Sequence, residues 1–147
     1  MNHKVILFFL AASVLISFLR VEAQQPTKIP RIGYLATAPA SAITARVKAF
    51  RQGLRELGYV EGKNIVIEQR YAEDKLDRLS ALAAELVSLK VDIIVTGGPS
   101  PTRAAKEATG TIPIVMGYDN DPIGNGLIAS LARPGGILLD CQPFTRR

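Results

Sequence analysis

Val91-Asp-Ile-Ile-Val-Thr96 runs directly into Gly97-Gly-Pro-Ser-Pro101. The first six residues are nearly all apolar, as a strand covered on both faces should be, and the turn stops them abruptly. An alanine-rich helix over 102–108 follows, with Gly110 to end it. Ile112-Pro-Ile-Val-Met116 then forms the next strand, its proline near the start where a missing donor costs least. On the N-terminal side, Leu76, Leu79, Leu82, Leu86 and Leu89 make one helical stripe, which Asp74 is placed to cap. Before it, Gly62-Lys-Asn64 turns the chain into the β-branched strand Ile65-Val-Ile67. Earlier still, Ile43, Val47, Phe50, Leu54 and Leu57 recur at helical spacing, and Gly58 suits a left-handed C-cap. The first strand is Arg31-Ile-Gly-Tyr-Leu-Ala-Thr37. After the fourth strand come a loop over 117–122 and a helix over 123–132, which Arg133-Pro-Gly-Gly136 terminates.

Strands alternating with helices of this length require right-handed crossovers. The expected fold class is therefore α/β, an open, doubly wound and mostly parallel sheet forming a single Rossmann-like lobe. Ligands of such sheets sit beyond the carboxyl ends of the strands, where strand order reverses. That rule selects three loops, 38–41, 97–101 and 118–122.

The 147 residues are 48% apolar and 21% charged, a globular composition. Residues 1–23 read as a signal peptide and not as fold. Lys4 precedes the apolar run 5–19, which is shorter than the ~20 residues that span a bilayer, and Val21-Glu-Ala23 fits a cleavage site before Gln24. Export to a periplasm is the expectation. The net charge of +5 is spread along the chain among acids. Lys48, Arg51 and Arg55 share a helix face opposite the apolar stripe, which reads as a solvated surface, so no nucleic-acid partner is expected.

Whole mechanisms lack their residue types. The sole histidine is His3 and the sole cysteine Cys141, so a Ser-His-Asp triad, a histidine-ligated zinc site and an activated thiol are all out of reach. No Walker A loop, G-x-S-x-G elbow or dinucleotide fingerprint occurs. Asp119-Asn-Asp121 resembles the start of a calcium loop, but Ser130 stands where the bidentate glutamate belongs and Pro122 interrupts it. No enzyme activity, metal or cofactor is expected.

The loop mouths supply the candidate ligand-binding residues. Gly97 and Gly98 let a backbone approach a ligand closely, and the helix that follows can offer N-terminal amides to an anion. The same turn also serves as a plain strand-to-helix connection. Asp119 and Asp121 can accept from an ammonium group, while Asp121 can equally cap the helix after Pro122. Tyr118 either stacks on an apolar ligand or closes the sheet edge.

Several longer stretches carry a resemblance. Phe50-Arg-Gln-Gly-Leu-Arg-Glu-Leu-Gly-Tyr-Val-Glu-Gly-Lys-Asn64, Leu82-Ala-Ala-Glu-Leu-Val87, Val91-Asp-Ile-Ile-Val-Thr96, Thr111-Ile-Pro-Ile-Val115 and Asp121-Pro-Ile-Gly-Asn-Gly-Leu-Ile-Ala-Ser-Leu-Ala-Arg-Pro-Gly-Gly136 are similar to segments of ABC-transporter substrate-binding proteins. The resemblance implies a type 1-like periplasmic binding protein with two α/β lobes. Such a protein traps a small organic solute, an amino acid or a relative of one, and delivers it to an ABC permease in the inner membrane. Carried over by position, Thr37, Ser41, Thr96, Gly97, Gly98, Pro99, Ser100, Tyr118, Asp119 and Asp121 line this lobe's side of the cleft. The chain departs from the pattern after Gly136, where residues 137–147 read as an aberrant tail in place of a second lobe. Residues 24–136 are then one lobe of a truncated, impaired receptor. The alternative is an exported interaction or sensor module without a transport role.

Overall fold

A computed structural model describes residues 28–119, 121–127 and the backbone of 138–140. Five strands, β1 (Arg31–Ala36), β2 (Val66–Tyr71), β3 (Ile93–Gly97), β4 (Ile114–Met116) and β5 (Leu138–Asp140), form one sheet in the order β2-β1-β3-β4-β5. Every pairing is parallel. Three helices connect them: α1 (Thr44–Glu56), α2 (Leu79–Ser88) and α3 (Pro99–Ala108). The expected α/β doubly wound lobe is present. Among the described residues, no helix is long and apolar enough to cross a membrane. The leader read at 1–23 lies outside the described residues.

β1 is the pivot. It pairs with β2 on one side and β3 on the other, and its side chains alternate between two separate cores. Ile32, Tyr34 and Ala36 face α1, joining Ile43, Val47 and Val95. Leu35 faces the opposite layer, with Ile94, Ile114 and Met116 beneath Leu79, Leu82, Leu86, Ala104 and Ala105. Gly33 lies on that second face because Leu86 leaves no room for more. A Cβ there would sit 3.1 Å from a Leu86 methyl.

Local chemistry explains most boundaries. At the end of α1, Gly58 adopts φ +86, Gly58 N–H donates to Arg55 O and Tyr59 N–H to Leu54 O, a Schellman motif as the sequence promised. Asn64 closes the following loop, accepting from Val60 N–H at 2.6 Å and donating to Gly58 O at 2.9 Å. At the start of β1, Asp92 holds the Lys28 ammonium and the Arg31 N–H, and its carboxyl is thereby lowered below the usual range.

Several readings need correction. Asp74 caps no helix. It sits at φ +60, a 3-10 turn (Leu76–Arg78) leads into α2 without a side-chain cap, and Leu76 of the expected stripe is exposed. β2 continues to Tyr71, beyond the Ile65-Val-Ile67 core, because its polar residues Glu68 and Arg70 are ion-paired at the sheet's outer edge. α3 starts at Pro99 and not at residue 102, since proline's fixed φ suits a first helical turn. Separately, Leu138–Asp140, within the segment read as a tail, forms a three-residue strand that pairs with β4. Of the helix expected over 123–132, residues 122–127 are turns and the remainder lies outside the described residues.

Leu86 is fully buried and fills the space over Gly33. Leu86→Ala should therefore cost about 2–5 kcal/mol, seen as a lower urea midpoint with an unchanged slope.

Candidate functional site

The sheet order places a switch point between β1 and β3, because the chain leaves β1 toward one edge and returns to build the other. A cavity of about 170 Å³ lies at that point, at the carboxyl ends of the strands. Its walls are Thr37 and Ala38 after β1, Asp74 after β2, Gly97 to Pro101 at the β3–α3 junction, and Tyr118 after β4, with Ile43 and Arg46 of α1 closing one side. The loops after β1 and β2 are tied together, with Asp74 N–H donating to Thr37 O at 2.9 Å.

The floor is built by two threonines that never reach the cavity. Thr102 Oγ1 donates to Gly98 O at 2.7 Å, and it lies 2.6 Å from Thr96 Oγ1. A hydroxyl has one proton, so Thr96 is the donor in that second contact. Both residues are fully buried. Thr96 is thus a brace under the turn and does not line the cavity.

The two glycines have a different use from the one the sequence suggested. A Cβ on Gly98, which sits at φ +111, would lie 3.3 Å from the Tyr118 hydroxyl. One on Gly97 would lie 3.4 Å from Ala36 Cβ and 3.6 Å from the Tyr34 hydroxyl. The absent side chains make room for two tyrosines beside the cavity. The helix start also offers fewer donors than expected. Pro99 and Pro101 have no N–H, so Ser100 alone among the first three residues of α3 brings a backbone donor.

Tyr118 is held from outside by Arg46. The guanidinium carbon lies 4.7 Å from the ring centroid and Nη1 donates to the hydroxyl at 3.3 Å. Tyr34 stands behind, packed on Phe50 and Tyr71 with ring centroids 5.8 and 6.4 Å away. Burial raises the Tyr34 phenol above its ordinary value, and the neighbouring Tyr71 and Tyr118 add to the rise while Arg46 opposes it. A cation, a carboxylate (Asp74) and aromatic rings therefore share one small cavity.

Of the sequence candidates, Thr37, Gly97, Gly98, Pro99, Ser100 and Tyr118 are brought together there. Ser41 is exposed and lends its carbonyl to Thr44 Oγ1. Asp119 is buried in its own loop, where Oδ1 accepts from Asp121 N–H and Asn125 Nδ2. Asp121 accepts from Gly124 N–H at 2.8 Å and so closes a turn, where its alternative had been to cap a helix. The sequence reading missed Tyr34, Arg46 and Asp74. Asp74 had a signal: β2 is parallel to its neighbours, so its following loop reaches the same end of the sheet. Arg46 had a weaker one, its place in the first turn of α1. Among the described residues, no group of three or more His, Cys, Asp or Glu is placed to hold a metal ion.

Comparison with known proteins fits this fold. The profile of the ABC transporter substrate binding protein family matches residues 32–139. A tyrosine-binding protein from Clostridioides difficile is 37% identical over 89 residues, 60% of this chain and 26% of its own length. Among solved structures, a conserved domain protein from Vibrio cholerae superposes with a TM-score of 0.72 at 27% identity, covering 77% of this chain and 38% of the other. An ABC domain from Streptococcus pneumonia in complex with L-Trp gives 0.70 at 25% identity, covering 76% and 37%. The chain spans 26% of the curated relative and less than two fifths of the solved ones.

Two outcomes follow from the floor and the rings. Thr102→Val keeps the shape of the side chain and removes its hydroxyl, stranding Thr96 Oγ1 in the core. It should cost about 1–3 kcal/mol in chemical denaturation, with Thr102→Ser restoring most of that. Tyr34 is neutral in the fold at pH values where an unfolded tyrosine has begun to ionise. Its contribution is whole below the ordinary value of 10.0 and is lost as pH rises toward the folded value. In a tyrosinate absorbance titration, Tyr34→Phe should accordingly remove a phenol that ionises above 10.0.

Proposed function

Because the chain belongs to the family of ABC transporter substrate-binding proteins, we propose that its strand-end cavity is one wall of a cleft that takes an aromatic amino acid for an ABC-type import system. The observation that carries this reading is the joint presence of Arg46, Asp74, Tyr34 and Tyr118 around one cavity. A zwitterion needs a cation for its carboxylate and an anion for its ammonium group, and an aryl side chain needs flat apolar surface. The family match and the relatives described as tyrosine-binding and L-Trp-bound support the same solute class.

The cavity's 170 Å³ is below the ~300–1,000 Å³ of ordinary ligand sites, which bury most of their ligand. A second wall closing over the solute would supply the remainder, as in hinge-closing receptors. The lobe acts on this reading as a solute binder, the role of the family to which it belongs. Its workplace is the periplasm, reached through the leader at residues 1–23, and its partner is a membrane permease.

Calorimetry of the full chain against L-tyrosine, L-tryptophan, L-leucine and L-lysine tests this. The aromatic pair should bind with a Kd of roughly 10 μM to 1 mM, and Arg46→Ala should weaken binding roughly tenfold. Indifference to every amino acid, together with stoichiometric co-purification of a protein partner, would instead assign the lobe to an interaction or sensor role.

A further inference from the structure

Beside the sheet's outer strand lies a second concavity, separate from the solute cavity. β1 pairs with one side of β2, and no described residue pairs with the other. Val66 N–H donates to Pro30 O and Ala72 N–H to Ala36 O, each at 2.9 Å. The alternation of a parallel ladder therefore turns the peptide groups of Ile67, Gln69 and Tyr71 outward. Gln69 O already accepts from the Arg70 guanidinium at 2.9 Å. Among the described residues, nothing pairs with the three N–H groups or with the carbonyls of Ile67 and Tyr71 along this edge.

On the α1 side of the edge runs a groove of about 350 Å³, lined by Lys48, Arg51 and Arg55 of the helix and Gln69 and Tyr71 of the strand. The three cations sit at helical positions that share a face. Among the described residues one carboxylate answers them: Glu61 pairs with Arg51 at 2.9 Å. Arg55 donates to the neutral Gln52 Oε1. The strand's own acid, Glu68, belongs to the opposite face, where Arg70 also meets Glu85 of α2 at 2.8 Å. The groove is therefore electropositive and flanks a ledge of unused backbone.

Two copies of the chain are poorly suited to each other here. Paired antiparallel about a two-fold axis normal to the sheet, each β2 would set one α1 beside the other, cations facing cations. A polyanion without amides would answer the charges and leave the strand edge unused. We propose that this edge is a docking site for an acidic, extended peptide segment of a partner protein, added as a strand along β2 with its carboxylates against Lys48, Arg51 and Arg55. The six residues of β2 give a ledge of about 20 Å, room for a segment of about six residues.

The test uses the full chain and a labelled, end-capped peptide of alternating glutamate and valine, eight residues long, followed by fluorescence anisotropy. Two control peptides replace glutamate by lysine or carry N-methyl groups on alternate amides. The acidic peptide should bind and weaken with added salt, and both controls should fail. Lys48→Glu with Arg55→Glu, two exposed sites, should cut affinity at least roughly tenfold while leaving the circular dichroism spectrum unchanged. Hydrogen exchange at the Ile67, Gln69 and Tyr71 amides should slow on binding. Equal binding of the N-methylated peptide would reduce the site to electrostatic adsorption and overturn the proposal, as would failure of the acidic peptide to bind. A dimer that blocks the peptide would give the edge to a second copy instead.

Discussion

A strand that must satisfy neighbours on both edges and cores on both faces has no freedom left, and β1 is in that position. Its backbone is shared between β2 and β3, while Tyr34 and Leu35 point into opposite layers. Shifting it by one residue would send Tyr34 into the space over which Leu86 lies and Leu35 toward α1. The cavity inherits this fixity, because its rear wall is Tyr34 and Ala36, the last residues of the same strand. What reaches the site is set by the packing of a strand whose placement nothing nearby can relax.

The turn after β3 shows how polar groups are spent at such a mouth. Gly98 O receives both the Thr102 hydroxyl and the Thr102 N–H, at 2.7 and 3.3 Å. Its two lone pairs are occupied from below. With prolines at 99 and 101, the junction faces the cavity with one backbone donor of the helix start and with ring surface from Tyr118. The charged groups at this wall are side chains brought from elsewhere, Arg46 and Asp74. The same two residues belong to elements that the turn itself does not specify.

That division also explains what could be read in advance. Periodicity located β1, α1, α2 and β3, since each buries a stripe that repeats at 2 or about 3.6 residues. The Gly58 cap was legible because one residue and its left-handed conformation decide it. The extension of β2 through Glu68, Gln69 and Arg70 was hidden, for Glu68 and Arg70 are held by ion pairs and Gln69 by the Tyr71 hydroxyl, and not by burial. The early start of α3 was hidden by a rule applied too broadly, that Pro99 and Pro101 belong to a turn. Of the site, the loop after β3 was legible from its glycines. Arg46 was not, since its partner Tyr118 is 72 residues away and the contact exists only after folding.

The register of β1 has a consequence for the order in which the chain can assemble. Ile32 pairs with Ile67, and on its other edge with Ile93, 61 positions further along than itself. At a translation rate of about 5–20 residues per second, the ribosome takes roughly 3–12 s to make that second partner. Throughout that interval the middle of the future sheet has one bare flank and an incomplete underside. Until the third strand emerges, β1 cannot complete its pairing and the sheet cannot close around it.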